Sequence, residues 1–372
     1  MRVDLAFFVF LAASLLAGGP ACSIRLDEAP PPPPATSDAD TRPLGGCVPL
    51  AGAASLVTGR LDSLVLPGGA VAVLAGGATV AGTTGIFAFG APAPDVVSSF
   101  GPCLANAVVL PAVPVVEPTA QDPGAVGRPL AGTVADGGVS GYLYFASVHA
   151  DGLASDGFGV AGWDPAAGRF TAPVLLWTAD RPSYGSGVGQ LGGFVYVVGG
   201  LSAGFLGADM FVARAPFDRV AVAGAYEYAQ GGGTWGPDPD AAAAFARGGT
   251  APSLAFYPAR GRWLLAYATP LAQEVTVRSG LGPAGPWSLP VTLGRCAIPP
   301  EDPNAFCADV VLHPLLSPVA PAPDASPLAP DAAVDIVLSY GLGSFGAPPG
   351  ASVPPSAYAT RLARVPWPAT LP

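Results

Sequence analysis

Two carboxyl groups set on either side of a glycosidic bond are enough to hydrolyse it, one donating a proton and the other acting as base or nucleophile. The sequence offers candidates for both roles. Asp62 stands just ahead of an apolar, strand-like run, and Glu227 stands between Tyr226 and Tyr228. Aromatic bulk around a carboxylic acid raises its pKa by desolvation and suits it to proton donation. Asp136 and Asp156 are available as third members, whereas Asp164 and Asp238 precede proline and read as turn formers. The bland reading of each acid taken singly is a solvated loop carboxylate.

Tyr184, Tyr226, Tyr228 and Trp235 lie in the loop sequence around them. They would supply a platform, because the apolar face of a sugar ring packs on an aromatic one. Trp163, Trp263, Trp287 and Trp367 recur at equivalent strand or turn positions, where core packing is the better reading. His149 and His313 could bind substrate hydroxyls, with a structural hydrogen bond as the competing role, above all for His313 before Pro314.

Other chemistry finds less support. Gly200-Leu201-Ser202-Ala203-Gly204 matches the nucleophile elbow of serine hydrolases, but that elbow needs a helix after the serine. Here Phe205–Ala213 runs into another strand-like segment. Two G-x-G-x-x-G matches begin at Gly187 and Gly341; with 50 glycines in 372 residues, about one is expected by chance without a βαβ context. Both read as turns, and no cofactor is implied. No C-x-x-C occurs and there are only 2 His, so no metal site is expected. A net charge of −10 with no basic cluster argues against a nucleic-acid partner.

The elements that must position these residues are short strands. Gly and Pro number 50 and 45, a level that suggests disorder in a chain poor in aromatics, but 17 Phe, 10 Tyr and 6 Trp sit inside apolar runs. Five strand–turn–strand units follow one another: Ala70–Leu74 with Gly85–Phe89, Gly141–Ser147 with Gly157–Trp163, Phe194–Val198 with Met210–Arg214, Arg262–Tyr267 with Glu274–Arg278, and Asp335–Tyr340 with Ala357–Val365. V-A-R-A-P-F at Val212 returns as L-A-R-V-P-W at Leu362. No long amphipathic helical period interrupts them, and only Asp240–Arg247 could form two turns of helix, with Asp240 as N-cap. Repetition of this kind predicts an all-β, five-bladed β-propeller, whose sheets bury both faces against their neighbours.

Ahead of that domain, Arg2 and the apolar run Leu5–Ala17 read as a signal segment, too short to span a bilayer as a mature helix. Gly19-Pro20-Ala21-Cys22 resembles a lipobox in which Cys22 is lipidated, with ordinary cleavage after Ala21 as the competing reading. The expected domains are 1–21 signal, 22–46 tether around Pro30–Pro34, and 47–372 propeller. Lipidation of Cys22 leaves Cys47, Cys103, Cys296 and Cys307, an even set for an oxidising compartment. Sequence-near pairing gives Cys47–Cys103 and Cys296–Cys307, one of three connectivities. The localisation expected is the bacterial cell envelope, with a membrane contact through the anchor and the folded part a monomer.

The strand grammar resembles the five-bladed propellers of the arabinanase and levansucrase type. Within that group the chain is most similar to the secreted family called domain of unknown function 4185. The matching segments are Asp62 ahead of a strand, F-V-Y-V-V-G-G, V-A-R-A-P-F, Y-E-Y-A-Q-G-G-G-T-W, Y-P-A-R-G-R-W-L-L-A-Y, G-P-W-S-L-P-V, H-P and R-L-A-R-V-P-W, spanning about Ala53 to Trp367. The resemblance implies polysaccharide cleavage with Asp62 as an axis-facing acid. Where the family usually carries F-G-D-T, this chain has Ala75-Gly76-Gly77-Ala78-Thr79, so a family carboxylate is missing. Three functions follow as expectations: a glycoside hydrolase, a glycan-binding propeller without turnover, and a protein-interaction lipoprotein.

Overall fold

The computed structural model describes residues 44, 60–65, 71–80, 83–90, 108–109, 125–134, 141–149, 155–164, 169–203, 207–249, 251–269, 273–317, 334–346 and 358–372. The signal segment, the proline tether, Cys22, Cys47, Cys103 and Asp136 fall outside them.

The described strands pair antiparallel into five sheets, each built from consecutive segments. The first holds β1 (Arg60–Val65), β2 (Val71–Val80), β3 (Thr83–Gly90) and β4 (Val108–Val109). β5 (Ala125–Val134), β6 (Gly141–His149), β7 (Ser155–Asp164) and β8 (Arg169–Thr178) form the second. The third runs through β9 (Gly187–Leu191), β10 (Phe194–Ser202), β11 (Ala208–Pro216), β12 (Glu227–Ala229) and β13 (Trp235–Gly236), with β14 (Ala246–Gly248) on the far end of β11. In the fourth are β15 (Ser253–Tyr257), β16 (Arg262–Thr269), β17 (Glu274–Gly280) and β18 (Val291–Arg295), and the fifth has β19 (Ala305–Leu312), β20 (Asp335–Ser344) and β21 (Arg361–Pro366).

The first strand of each sheet touches the first strand of the next: β1 with β5, β5 with β9, β9 with β15, β15 with β19, and β19 with β1. These inner strands surround an axis and the remaining strands radiate from it, which is the propeller expected of the sequence. Four sheets are complete blades of four or more strands. The last falls one short among the described residues, so the expectation of five full blades is not met.

Apolar clusters fill the wedges between sheets, as they must where both faces of each strand are covered. Tyr144, Val160 and Trp177 of the second sheet meet Val195, Val197 and Ala213 of the third. Val198 and Met210 meet Leu254, Trp263 and Leu265 of the fourth. Leu264, Val275 and Val277 meet Leu312, Ile336 and Leu338 of the fifth. Glycine permits close approach of the third and fourth sheets. A Cβ on Gly187 would lie 2.2 Å from the Leu254 amide nitrogen, and one on Gly189 would lie 2.3 Å from the Trp263 ring.

The helix expected over Asp240–Arg247 does not form. A single 3-10 turn spans Pro239–Ala241, capped by Asp238, whose side chain accepts from the Asp240 amide at 2.9 Å, and Ala246–Gly248 is the strand β14. Pro239 fixes the first position of a turn, and pairing of β14 with β11 takes the backbone groups a second helical turn would have used.

Candidate active site

Chemistry on this scaffold is set by the inner strands. β1 reads Arg-Leu-Asp-Ser, and the two-residue period of a strand sends Arg60 and Asp62 to one face and Ser63 to the other. Asp62 therefore lies inside a strand and not ahead of one. The Arg60 side chain is buried; its Nε donates to the Leu130 carbonyl of β5 at 3.2 Å, and its Nη2 donates to the Ser186 carbonyl just before β9. One guanidinium thus ties three sheets together at the axis. Burial lowers its pKa, and the charges of Asp62 and Asp309 oppose that shift, while Arg128 adds to it.

Asp62 is buried, and its Oδ1 accepts from the Ser63 amide at 2.8 Å. Its Oδ2 has no hydrogen-bond partner among the described residues. Desolvation pushes the carboxyl up to about 7, against the Arg60 charge and the Ser63 and Gly132 amides, which pull it down. A carboxyl near that value carries a transferable proton at neutral pH, the property a general acid needs.

On the opposite face of β1, Ser63 meets His313. The imidazole is fully buried, with Nδ1 3.1 Å from Ser63 Oγ and Nε2 2.9 Å from Ser339 Oγ. Burial, aided by the Arg60 charge, drives its pKa down to about 3, so the ring is neutral and holds one hydroxyl as donor and one as acceptor. This is the structural role that the following proline suggested.

The second acid expected, Glu227, is elsewhere. It opens β12, three strands out from β9; its Oε2 accepts from Arg214 Nε at 2.8 Å, and Arg214 Nη2 lies 2.8 Å from the same oxygen as an ion pair. The structure does not bring it to Asp62. The expected platform also divides. Tyr226 and Tyr228 point to the opposite face of the strand and are buried with Tyr184 and Trp177 between the second and third sheets, so none of these tyrosines lines a loop surface. Tyr226 Oη donates to the Val220 carbonyl and sits 2.9 Å from Tyr144 Oη, while Tyr228 Oη accepts from Trp177 Nε1 at 2.9 Å. Trp235 remains partly exposed on β13. Asp156 lies on β7, third from the axis, 3.4 Å from Ser147 Oγ. Of the expected disulfides, Cys296–Cys307 is formed.

Three charged residues near the axis do not stand out in the sequence: Arg60, Arg128 and Asp309. Asp309 is a lone acid in the apolar strand Ala-Phe-Cys-Ala-Asp-Val-Val-Leu, and it sits with φ 48° at the irregularity where the β19–β20 register shifts. A charge inside an otherwise apolar strand, flanked by a bulge, is the signal that marks it.

No family model matches the sequence, and no curated protein matches it either. Among solved structures, the fold is similar to that of an inferred hydrolase from Bacteroides ovatus, with a TM-score of 0.56, 14% identity, and coverage of 88% of this chain and 87% of that one. A GH43_1 enzyme from Xanthomonas citri in complex with xylotriose aligns with a TM-score of 0.46 and 17% identity over 87% and 90% of the two chains. An exo-β-1,3-galactanase from Phanerochaete chrysosporium with β-1,3-galactotriose gives 0.46 and 12%, and this chain spans 64% of that protein's length. At these identities the likeness speaks for the fold alone.

Proposed function

We propose that this chain is a carbohydrate-active propeller that binds polysaccharide where its inner strands begin and cleaves glycosidic bonds there. Asp62 is the proton donor and Asp309 the second carboxylate. The observation that carries this reading is Asp62 Oδ2: buried, without a partner among the described residues, on the innermost strand beside Arg60, in a carboxyl raised to about 7. Asp309 approaches the same guanidinium from the adjoining inner strand, closely enough for its charge to act on Arg60. Two acids whose charges both act on one buried arginine supply the kind of carboxyl pair that glycoside hydrolysis uses. In this reading the three-stranded sheet serves as the fifth blade, and the resemblance to domain of unknown function 4185 reflects common descent. The protein is exported, anchored in the cell envelope through a lipid on Cys22, and works as a monomer.

A second reading has its own support. Gly77 stands where the family carries a carboxylate, and Glu227 is held in an ion pair away from the axis. A propeller lacking a base or nucleophile binds glycans without turning them over. The deciding experiment sets arabinan, galactan, xylan and fructan against the wild type, Asp62→Asn and Asp309→Asn. Turnover in the wild type that falls by about 10²–10⁴ in each variant is the expected result. Affinity without turnover establishes the binding propeller, and absence of glycan affinity removes both. Palmitate labelling that persists in Cys22→Ala would overturn the anchor.

A further inference from the structure

One face of the third sheet carries a row of side chains that the axial chemistry does not use. Tyr196, Arg214 and Glu227 stand directly opposite one another on β10, β11 and β12, and Ala229 places Trp235 of β13 on the same face. Phe194 lies two residues before Tyr196 and so shares that face. The Arg214 guanidinium is held between two aromatic rings, 4.3 Å from the Trp235 centroid and 4.8 Å from that of Phe194. Tyr196 supports the Trp235 ring edge-on at 6.0 Å and is braced in turn by Trp263 at 5.3 Å.

Arg214 Nε donates to Glu227 Oε2, and Nη2 lies 2.8 Å from the same oxygen. Glu227 and Arg214 keep 43% and 24% of their side-chain surface exposed, so polar groups of both remain open to a ligand. An ion-paired donor and acceptor, fixed by aromatic packing, offer groups of both kinds to the hydroxyls of a sugar. Beside them the partly exposed indole offers an apolar surface, and the Gly231–Gly233 turn places no side chain over it. The pair is neutral overall, so it does not select a charged ligand.

We propose that this face, formed by Phe194, Tyr196, Arg214, Glu227 and Trp235, is a second binding site, for neutral sugar units of the same polysaccharide. The inference rests on the glycan reading of the axial site. Glu227 lies three strands from the inner strand of its sheet, so the two sites are separate. A long polymer engages both, and the outer one raises apparent affinity by holding the chain near the axis.

The test uses the full chain and the same four polysaccharides in affinity electrophoresis, together with turnover of short oligosaccharides. Trp235→Ala and Glu227→Gln should each weaken polymer affinity about tenfold, the loss of one well-placed contact, and leave short-substrate turnover unchanged. Asp62→Asn should keep the polymer affinity. Because Trp235→Ala removes packing, Glu227→Gln, which keeps the shape, is the control for folding. Unchanged polymer affinity in both variants overturns the outer site while leaving the axial reading intact. Absence of glycan binding by the wild type overturns both.

Discussion

Asp62 and His313 sit on opposite faces of β1 and bias stability in opposite directions. The Asp62 carboxyl rises from an ordinary value of 3.8 to about 7 on folding, so the native state holds a proton that the unfolded state has released. Its contribution is complete below about 4 and is lost as pH climbs through 7, at about 1.4 kcal/mol for each tenfold difference in proton affinity between the folded and unfolded chain. His313 falls from 6.5 to about 3, so its contribution is complete above about 6.5 and is lost as pH drops towards 3. Between those limits the two slopes offset each other. Asp62→Asn removes one of them. The variant should melt above the wild type at pH 8, where the buried carboxylate is charged, and its advantage should shrink as pH falls towards 4. Parallel melting temperatures for the two proteins from pH 4 to 8 would show that Asp62 is not desolvated as described. Glu227 illustrates how strand alternation decides what surrounds a side chain. Its tyrosine neighbours suggest an apolar niche, yet in a strand the residues on either side point the other way. Burial of Tyr226 and Tyr228 itself directs Glu227 outward to Arg214. Asp62 is legible because a family resemblance supplies the axis, whereas Asp309 is marked only as a single acid in an otherwise apolar strand.

At the scale of elements, the five strand pairs legible in the sequence are β2–β3, β6–β7, β10–β11, β16–β17 and β20–β21, the second and third strands of the five sheets. Strands rich in aromatic and β-branched residues are conspicuous, and β16 and β20 are in addition buried on both faces. The inner strands are harder to see because the axis imposes different residues on them. Gly187 and Gly189 in β9, Pro129 in β5 and Arg60 with Asp62 in β1 all break an apolar pattern. Close approach at the axis is the reason for Gly187, whose missing Cβ makes room for the Leu254 amide. Gly187→Ala should therefore cost about 1–3 kcal/mol, seen as a lowered denaturation midpoint. An unchanged midpoint would mean that β9 and β15 can separate without penalty. The disulfide is legible for a simpler reason. Cys296 and Cys307 are 11 residues apart, and the chain between β18 and β19 must turn back from the rim of one sheet to the axis of the next.

For the molecule as a whole, the problem is closure. No sheet mixes described strands from the two ends of the chain, so the first and last sheets are not stitched by backbone pairing among those strands. Side chains do the joining around the axis. Arg60 links the first sheet to the second and to the chain before β9, Thr133 Oγ1 donates to Gln190 between the second and third, and Ser253 Oγ accepts from the Leu312 amide between the fourth and fifth. Leu44 adds a clasp from the other end of the chain: its amide donates to the Arg295 carbonyl at 2.7 Å, and its side chain is buried in the core between the fourth and fifth sheets. The seam between fifth and first sheets rests on His313, which holds Ser63 with one nitrogen and Ser339 with the other. Replacing it with alanine removes both bonds, leaves two buried hydroxyls unsatisfied and opens a cavity, so His313→Ala should destabilise by about 2–4 kcal/mol. More telling is where the loss falls. Amide hydrogen exchange should quicken in β1, β19 and β20, while β10 and β11, packed from both sides, keep their protection. Where alanine prevents folding, His313→Gln, with a polar group at each end of its amide, should fold and show the same localised pattern in weaker form. Exchange that rises evenly over all five sheets would mean that the ring opens as one body and that His313 marks no seam.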